Sequence, residues 1–156
     1  MLINFDFALK TNVLFGTGER KNLNKILSKE DYKSACIVID HSVIALPLFS
    51  KFINSLQCNT KIIECDISEP TYDKLEEKRE YLFDERIDIF IGIGGGSTLD
   101  MAKGLSVLYS NLGPAITYRG FDKFKAPIQP IIAIPTTAGT GSEITPNASF
   151  IDTIGK

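Results

Sequence analysis

The sequence predicts an α/β fold: a doubly wound, mostly parallel, Rossmann-like sheet with helices on both faces. Two observations predict it. Short apolar segments rich in Val, Ile and Phe alternate along the chain with segments whose apolar residues recur at helical spacing. The apolar segments are also nearly continuous, which fits strands that are covered on both faces. Alternation of this kind builds right-handed βαβ units and therefore a parallel sheet.

Five segments have the composition of strands. The most apolar of them begins at Ile87 and leads directly into the glycines at 94–96, and another ends on Asp40. Turn-forming residues follow them, as expected where a buried strand leaves the sheet. The predicted strands cover residues 12–15, 34–40, 61–67, 87–93 and 128–135.

Four segments have the period of amphipathic helices. In the second, Pro47 must lie in the first turn or kink the helix. In the third, charged residues form a solvated face, and Leu75, Leu82 and Phe83 are predicted to face inward. Residues 111–127 are predicted to form a loop with short turns. The predicted helices cover residues 19–27, 42–56, 72–86 and 98–110.

Length and composition indicate one globular domain, predicted to span residues 1–156. Hydrophobic residues make up 44% of the chain and charged residues 23%, with a formal net charge of −2. Such a charge gives no basic surface for nucleic acid or for an anionic membrane, so neither partner is predicted. The N-terminus lacks the pattern of a signal peptide, and no apolar run approaches the roughly 20 residues of a membrane helix. We therefore expect a cytoplasmic protein.

The metal-ligating residue types are few and scattered. Three cysteines have no C-x-x-C spacing, so they are interpreted as small core residues rather than as disulfides or zinc ligands. His41 is the only histidine, and one imidazole cannot build a multi-histidine metal site. No metal ligands are predicted in this chain. The cysteines are Cys36, Cys58 and Cys65.

The carboxyl ends of the predicted strands carry the candidate site. In doubly wound sheets, ligands bind in the crevice outside these ends. Asp40 follows a strand directly, and an acid there can accept hydrogen bonds from a ribose hydroxyl while repelling a 2′-phosphate, which favours NAD over NADP. The alternative is that Asp40 caps the next helix.

The glycine loop at 92–97 reads GIGGGS, which matches neither G-x-G-x-x-G nor a Walker motif. Glycines at a helix N-terminus suit a phosphate, although a tight turn alone would also use them. Asp100 has two interpretations: it fixes a loop, as in a capping box with an acid at the third helical position, or it contacts the ligand. We favour loop positioning with contact to the nicotinamide end. The second loop, at 135–143, reads PTTAGTGSE and offers several neutral donors with little bulk.

Two motifs together resemble a known family. GGGSTLDMAK at 94–103 and IPTTAGTGSE at 134–143 are similar to the paired signatures of the iron-containing, group III alcohol dehydrogenases. The early VLFGTG segment, Asp40 and the Pro70-Thr71 loop also lie where that family has them. The resemblance implies an NAD-binding enzyme, with NADP as the alternative cofactor, that interconverts a primary alcohol and an aldehyde by hydride transfer.

The resemblance also implies roles for ten cofactor-binding residues. Asp40 would contact the adenosine ribose, and Thr71 would lie near the adenosine. The pyrophosphate would lie on the glycine loop, and the threonine loop would hold the pyrophosphate and the nicotinamide side. Asp100 and Ser142 would line the nicotinamide end. The remaining residues are Gly95, Gly96, Ser97, Thr136, Thr137 and Thr140.

One departure from the family limits what the chain is expected to do. Members have a second, helical domain that supplies an aspartate and three histidines to Fe²⁺, whereas this sequence reaches Lys156 with one histidine. We therefore expect the N-terminal cofactor-binding half of such an enzyme, inactive alone and homo-oligomeric when complete. Two alternatives stay open: a non-catalytic nucleotide-binding or interaction module, and a domain of a zinc enzyme similar to glycerol dehydrogenase.

Overall fold

The computed structural model describes residues 11–66, 69–120, 122–153 and 155. Its centre is a sheet of four parallel strands in the order β2-β1-β3-β4. The predicted doubly wound α/β fold is confirmed, because all neighbouring strands are parallel and helices cover both faces of the sheet. The strands are β1 (Ser34–Asp40), β2 (Asn59–Cys65), β3 (Ile89–Gly94) and β4 (Ile131–Pro135).

Five α-helices accompany the sheet in the part of the chain that the structure describes. They are α1 (Leu23–Lys29), α2 (His41–Ile44), α3 (Pro47–Asn54), α4 (Tyr72–Arg79) and α5 (Gly96–Ser110). Short 3-10 turns lie at Glu19–Asn22, Glu80–Leu82 and Ala115–Tyr118. Within the described ranges, no helix combines the length and apolar character that crossing a bilayer requires.

Two apolar cores lie on opposite faces of the sheet. Alternate residues of β1 point to opposite faces, so Cys36 and Val38 join one core while Ile37 and Ile39 join the other. The first core is completed by α4 and α5, and the second by α1, α2 and α3. Because both faces are covered, β1 and β3 are almost entirely buried, as their continuous apolar sequences predicted.

The strand predicted at 12–15 is wrong. None of these residues is in a strand, and Val13, Leu14 and Phe15 are 60%, 60% and 97% exposed. Apolar, strand-forming composition is not sufficient here, since a strand exists only where its backbone is paired with a neighbour. The strand predicted at 61–67 begins and ends two residues earlier, and Ile67 lies outside the described residues.

Two helix predictions are corrected by local backbone effects. The helix predicted at 42–56 is two helices, because Leu46 is extended and Pro47 is the first residue of α3. The helix predicted at 72–86 ends at Arg79 and continues only as a 3-10 turn. Phe83 is consequently 68% exposed instead of inward, whereas Leu75 and Leu82 are buried as predicted.

The cysteines are unpaired thiols, as predicted. Cys36 and Cys65 are buried on neighbouring strands, and Cys58 is partly buried. Burial raises the pKa of the Cys36 thiol to about 12 and that of Cys65 to about 11. At neutral pH both remain protonated and behave as small apolar side chains.

Candidate functional site

The carboxyl ends of β3 and β4 lie side by side and bring the two sequence motifs together. Gly94 pairs with Pro135 at the last position of the ladder. The ladder then extends by one bond, since Thr136 N donates to the Gly94 carbonyl at 2.9 Å. The glycine loop and the threonine loop, which are far apart in sequence, are therefore neighbours from their first residues.

Two glycines of β3 serve the packing of α5 on the sheet. A Cβ at Gly92 would lie 3.1 Å from Ala102 Cβ, and one at Gly94 would lie 2.7 Å from Thr98 Cβ. The absence of side chains lets α5 pass close over the strand that precedes it. These positions are explained by the fold alone, without any ligand.

Gly95 and Gly96 instead face the threonine loop. A Cβ at Gly95 would lie 2.7 Å from Thr137 Oγ1, and one at Gly96 would lie 3.3 Å from Ser142 Oγ and Thr140 Cβ. Gly95 is the N-cap of α5 and supplies no side chain to its first turn. The amino end of this 15-residue helix is therefore bordered by three hydroxyl-bearing side chains. Backbone amides and hydroxyls of this kind suit an anion or a polar cofactor.

The threonine loop has a conformation that its own glycines permit. Gly139 and Gly141 have φ values of 90° and 70°, with open space around their Cα atoms, so backbone geometry and not crowding requires glycine there. Between them, Thr140 Oγ1 lies 3.3 Å from Glu143 Oε2 and accepts from Ser142 N at 3.3 Å. The loop is thus tied internally, with Thr136 and Thr137 at its start.

Asp40 is confirmed as a helix cap. Its Oδ1 accepts from Ser42 N at 2.8 Å and from Ser42 Oγ at 2.5 Å, so it closes the first turn of α2. Both bonds use Oδ1, and Oδ2 can accept from a further donor such as a hydroxyl. Capping and ligand binding are therefore compatible at this residue.

The histidine beside Asp40 is part of an ion pair. His41 Nδ1 lies 3.0 Å from Glu64 Oε2 on the neighbouring strand. The hydrogen bond that the His41 imidazole donates to Glu64 raises the pKa of His41 above 6.5. No sequence pattern predicted this pair, because the strand register decides which residue of β2 lies beside the end of β1, where His41 follows.

Thr71 is the N-cap of α4. Its Oγ1 accepts from Lys74 N at 3.1 Å. Its backbone also forms a bridge with Ile151, so the loop at 70–71 is held from a distant part of the chain. The family resemblance implies that this loop lies beside the adenosine, and nothing in the sequence predicted what holds the loop.

Asp100 positions a loop, although not as a capping box would. It is the fifth residue of α5, not the third, so it does not reach the helix start. Its Oδ2 accepts from Ser149 N at 3.0 Å and its Oδ1 pairs with Lys103 Nζ at 3.2 Å. Lys103 also donates to the Asn147 carbonyl at 2.6 Å. Lys103 was missed as a site residue, and the signal available was its i+3 spacing from an acid on the same helix.

The described ranges contain no group of three or more His, Cys, Asp or Glu side chains that could hold a metal ion. The structure does not bring the carboxylates at the strand ends into one cluster. The Asp40 carboxylate accepts from the first turn of α2. The Asp100 carboxylate accepts from Ser149 N and Lys103 Nζ. The candidate site is a set of backbone amides, hydroxyls and single carboxylates.

The fold and these two loops define an α/β domain in which polar groups surround the amino end of α5, at the carboxyl ends of the strands. Residues 10–156 match the family model of iron-containing alcohol dehydrogenases. The chain belongs to that family, and it corresponds to the N-terminal domain of its relatives.

Individual relatives agree with the family match. Alcohol dehydrogenase 4 of Schizosaccharomyces pombe is 34% identical over 142 residues, which are 89% of this chain and 34% of that protein. The NAD-dependent methanol dehydrogenase of Bacillus methanolicus is 30% identical over 97% of this chain and 40% of its own length. The structure of an alcohol dehydrogenase from Oenococcus oeni superposes with a TM-score of 0.82 and 27% identity, over 91% of this chain and 38% of that one. The chain thus spans between about a third and two fifths of the length of these relatives.

Proposed function

We propose that this chain forms the dinucleotide-binding domain of an NAD-dependent alcohol dehydrogenase that interconverts a primary alcohol and an aldehyde. Its relatives include an enzyme named as NAD-dependent. The observation that carries the proposal is the contact between Gly95–Gly96 and the threonine loop, which places hydroxyls beside the amino end of α5. A pyrophosphate needs donors in that arrangement.

The binding roles follow from position along the carboxyl edge. Gly95, Gly96 and Ser97 would hold the pyrophosphate with their backbone amides. Thr136, Thr137 and Thr140 would add neutral donors on the far side of the pyrophosphate, toward the nicotinamide. When bound, the nicotinamide supplies hydride chemistry at its C4 position. The side chains of this chain bind and orient that ring; they do not react with it.

The ends of the cofactor would be held by carboxylates and hydroxyls. Asp40 Oδ2 would accept from the adenosine ribose while Oδ1 stays on the α2 cap. Thr71 would lie beside the adenosine, with Ser142 and Asp100 at the nicotinamide end. We propose that Asp100 affects cofactor binding mainly by positioning the loop at Ser149, since both oxygens of its carboxylate already accept hydrogen bonds.

The described residues do not form a binding site for iron. The donor set on this part of the chain offers no cluster of ligands, and neutral threonine hydroxyls are poor ligands for a transition metal. No step of substrate activation is therefore assigned to these residues.

The setting of the complete enzyme is also a proposal. We propose NAD as the cofactor, with NADP as the weaker alternative, because a carboxylate at Asp40 repels a 2′-phosphate. We propose a cytoplasmic homo-oligomer without nucleic acid or membrane partners. The net charge of −2 supports the absence of nucleic acid and membrane partners. Exposed apolar side chains such as Phe15 and Leu112 support association between subunits.

Calorimetric titration with NAD⁺ up to millimolar concentration tests the proposal. We expect the wild-type chain to bind NAD⁺. We expect the Gly95→Ala, Thr137→Ala double variant to bind NAD⁺ at least tenfold more weakly than the wild type does. The double variant removes the Thr137 hydroxyl that a new Cβ would meet at 2.7 Å, so the fold is preserved while the helix end is covered. Thr137→Ala alone is the matched control, and circular dichroism checks folding. Equal affinity of the double variant and its control would contradict the proposed site.

A further inference from the structure

A five-residue segment, 147–151, which we call the strap, crosses from the nicotinamide end of the proposed cleft to the adenosine end. Its first half is held by α5: the Asn147 carbonyl accepts from Lys103 Nζ at 2.6 Å, and Ser149 N donates to Asp100 Oδ2 at 3.0 Å. These anchors are all polar. They depend on one ion pair, Asp100–Lys103.

That ion pair is well buried for two charged side chains. Each side chain is only 12% exposed, and Lys103 Nζ lies 3.2 Å from Asp100 Oδ1. A carboxylate in such surroundings needs its cation, because burial without a partner is unfavourable. Lys103 therefore supports the carboxylate that holds Ser149 and also binds the strap directly.

The second half of the strap is held by α4 and the loop before it. Phe150 packs against Tyr72 with ring centroids 5.6 Å apart. It also covers Gly104, where a Cβ would lie 2.7 Å from Phe150 Cζ. Ile151 N donates to the Pro70 carbonyl at 2.9 Å, and Tyr72 N donates to the Ile151 carbonyl at 3.2 Å. The strap therefore joins Lys103 to the loop that carries Thr71.

We propose that Lys103 is a positioning residue for the adenosine half of the cofactor, acting through Asp100 and the strap on the Pro70-Thr71 loop. The inference rests on the proposed function, since it assumes that Thr71 lies beside the adenosine. The segment has only five residues, and both halves are anchored, so a loss of register at Asn147–Ser149 displaces Ile151. The consequence is long-range: a lysine at the nicotinamide end controls affinity for a fragment that has no nicotinamide.

AMP is the probe, because it contains the adenosine half alone. We expect Lys103→Met to weaken AMP binding at least fivefold, and to speed amide exchange at Ile151 as well as at Ser149. Lys103→Arg keeps the charge and is expected to retain at least half of the wild-type affinity. Lys78→Met is the matched control, because Lys78 pairs with Glu77 on α4 and not with an anchor of the strap. If Lys103→Met does not fold, Lys103→Gln serves the same comparison.

The outcomes separate the two proposals. A Lys103→Met variant with wild-type AMP affinity and wild-type exchange at Ile151 would overturn the coupling. Faster exchange confined to Ser149 would also overturn it, because Lys103 would then have a purely local role. A wild-type chain that binds neither AMP nor NAD⁺ would instead count against the proposed function, while the exchange rate at Ile151 would still report whether Lys103 holds the strap.

Discussion

Replacing Asp40 with asparagine isolates the charge at the adenosine end of the cleft. The asparagine side chain is isosteric and keeps an oxygen that can accept from Ser42 N, so the α2 cap survives and stability changes by no more than about 0.5 kcal/mol. What is lost is the negative charge. At about 5 Å in water, one charge pair is worth about 0.8 kcal/mol, so a 2′-phosphate of nearly two charges experiences about 1.5 kcal/mol of repulsion. Asp40→Asn should therefore improve NADPH binding relative to NADH about tenfold.

The assay is a fluorescence titration of NADH and of NADPH, followed at the emission of the reduced nicotinamide. The sequence has no tryptophan, so no indole emission or energy transfer interferes. Asp88→Asn is the matched control: Asp88 accepts from Lys33 N at 2.8 Å and Ser34 N at 3.0 Å, at the start of β1 and therefore at the opposite edge of the sheet. An NADPH-to-NADH ratio that is the same in wild type and in Asp40→Asn would refute the ribose role of Asp40.

Two further predictions concern ionisation and stability. Because Glu64 raises the pKa of His41, their pair contributes fully to stability below the ordinary pKa of 6.5, and this contribution is lost as the pH rises through the raised value. An NMR titration should show the raised pKa in the wild type and its return toward 6.5 in Glu64→Gln; an identical titration in both would contradict the pairing. Asn111 is buried, and its Oδ1 accepts from Lys125 N at 3.1 Å and Ala126 N at 2.9 Å. Asn111→Ala should lower the free energy of unfolding by about 2–4 kcal/mol, because two backbone donors lose their partner; urea denaturation measures this, and a loss below about 0.5 kcal/mol would show that the loop re-pairs.

The sheet was predictable because burial on both faces makes β1 and β3 continuous apolar runs. Helix ends were harder, since the backbone conformation of single residues decides them: Pro47 starts a new helix, and Phe83, which is extended directly after Leu82, is exposed. The segment at 12–15 shows the limit of composition. Its residues favour strand, but pairing is a property of the neighbours and not of the segment.

For the candidate site, chain order predicted which segments meet, because parallel strands bring their carboxyl ends to one edge. Partners across the site were not predictable in the same way. The Asp100 carboxylate meets Ser149 N, 49 residues away, and only the path of the strap makes that contact. Gly95 was predicted as a ligand contact, whereas its packing against Thr137 shows that the fold also requires a small residue there.

The position of β4 at the end of the sheet has a practical consequence. Within the residues that the structure describes, β4 is paired only with β3. The strand reads IIAIP and carries no charge, so it lacks the lysines with which proteins commonly discourage strand addition. We therefore expect concentrated solutions of this chain to show strand-to-strand association through β4. Ala133 is partly buried in the centre of β4, and Ala133→Lys is expected to reduce this association by placing a charge on the strand.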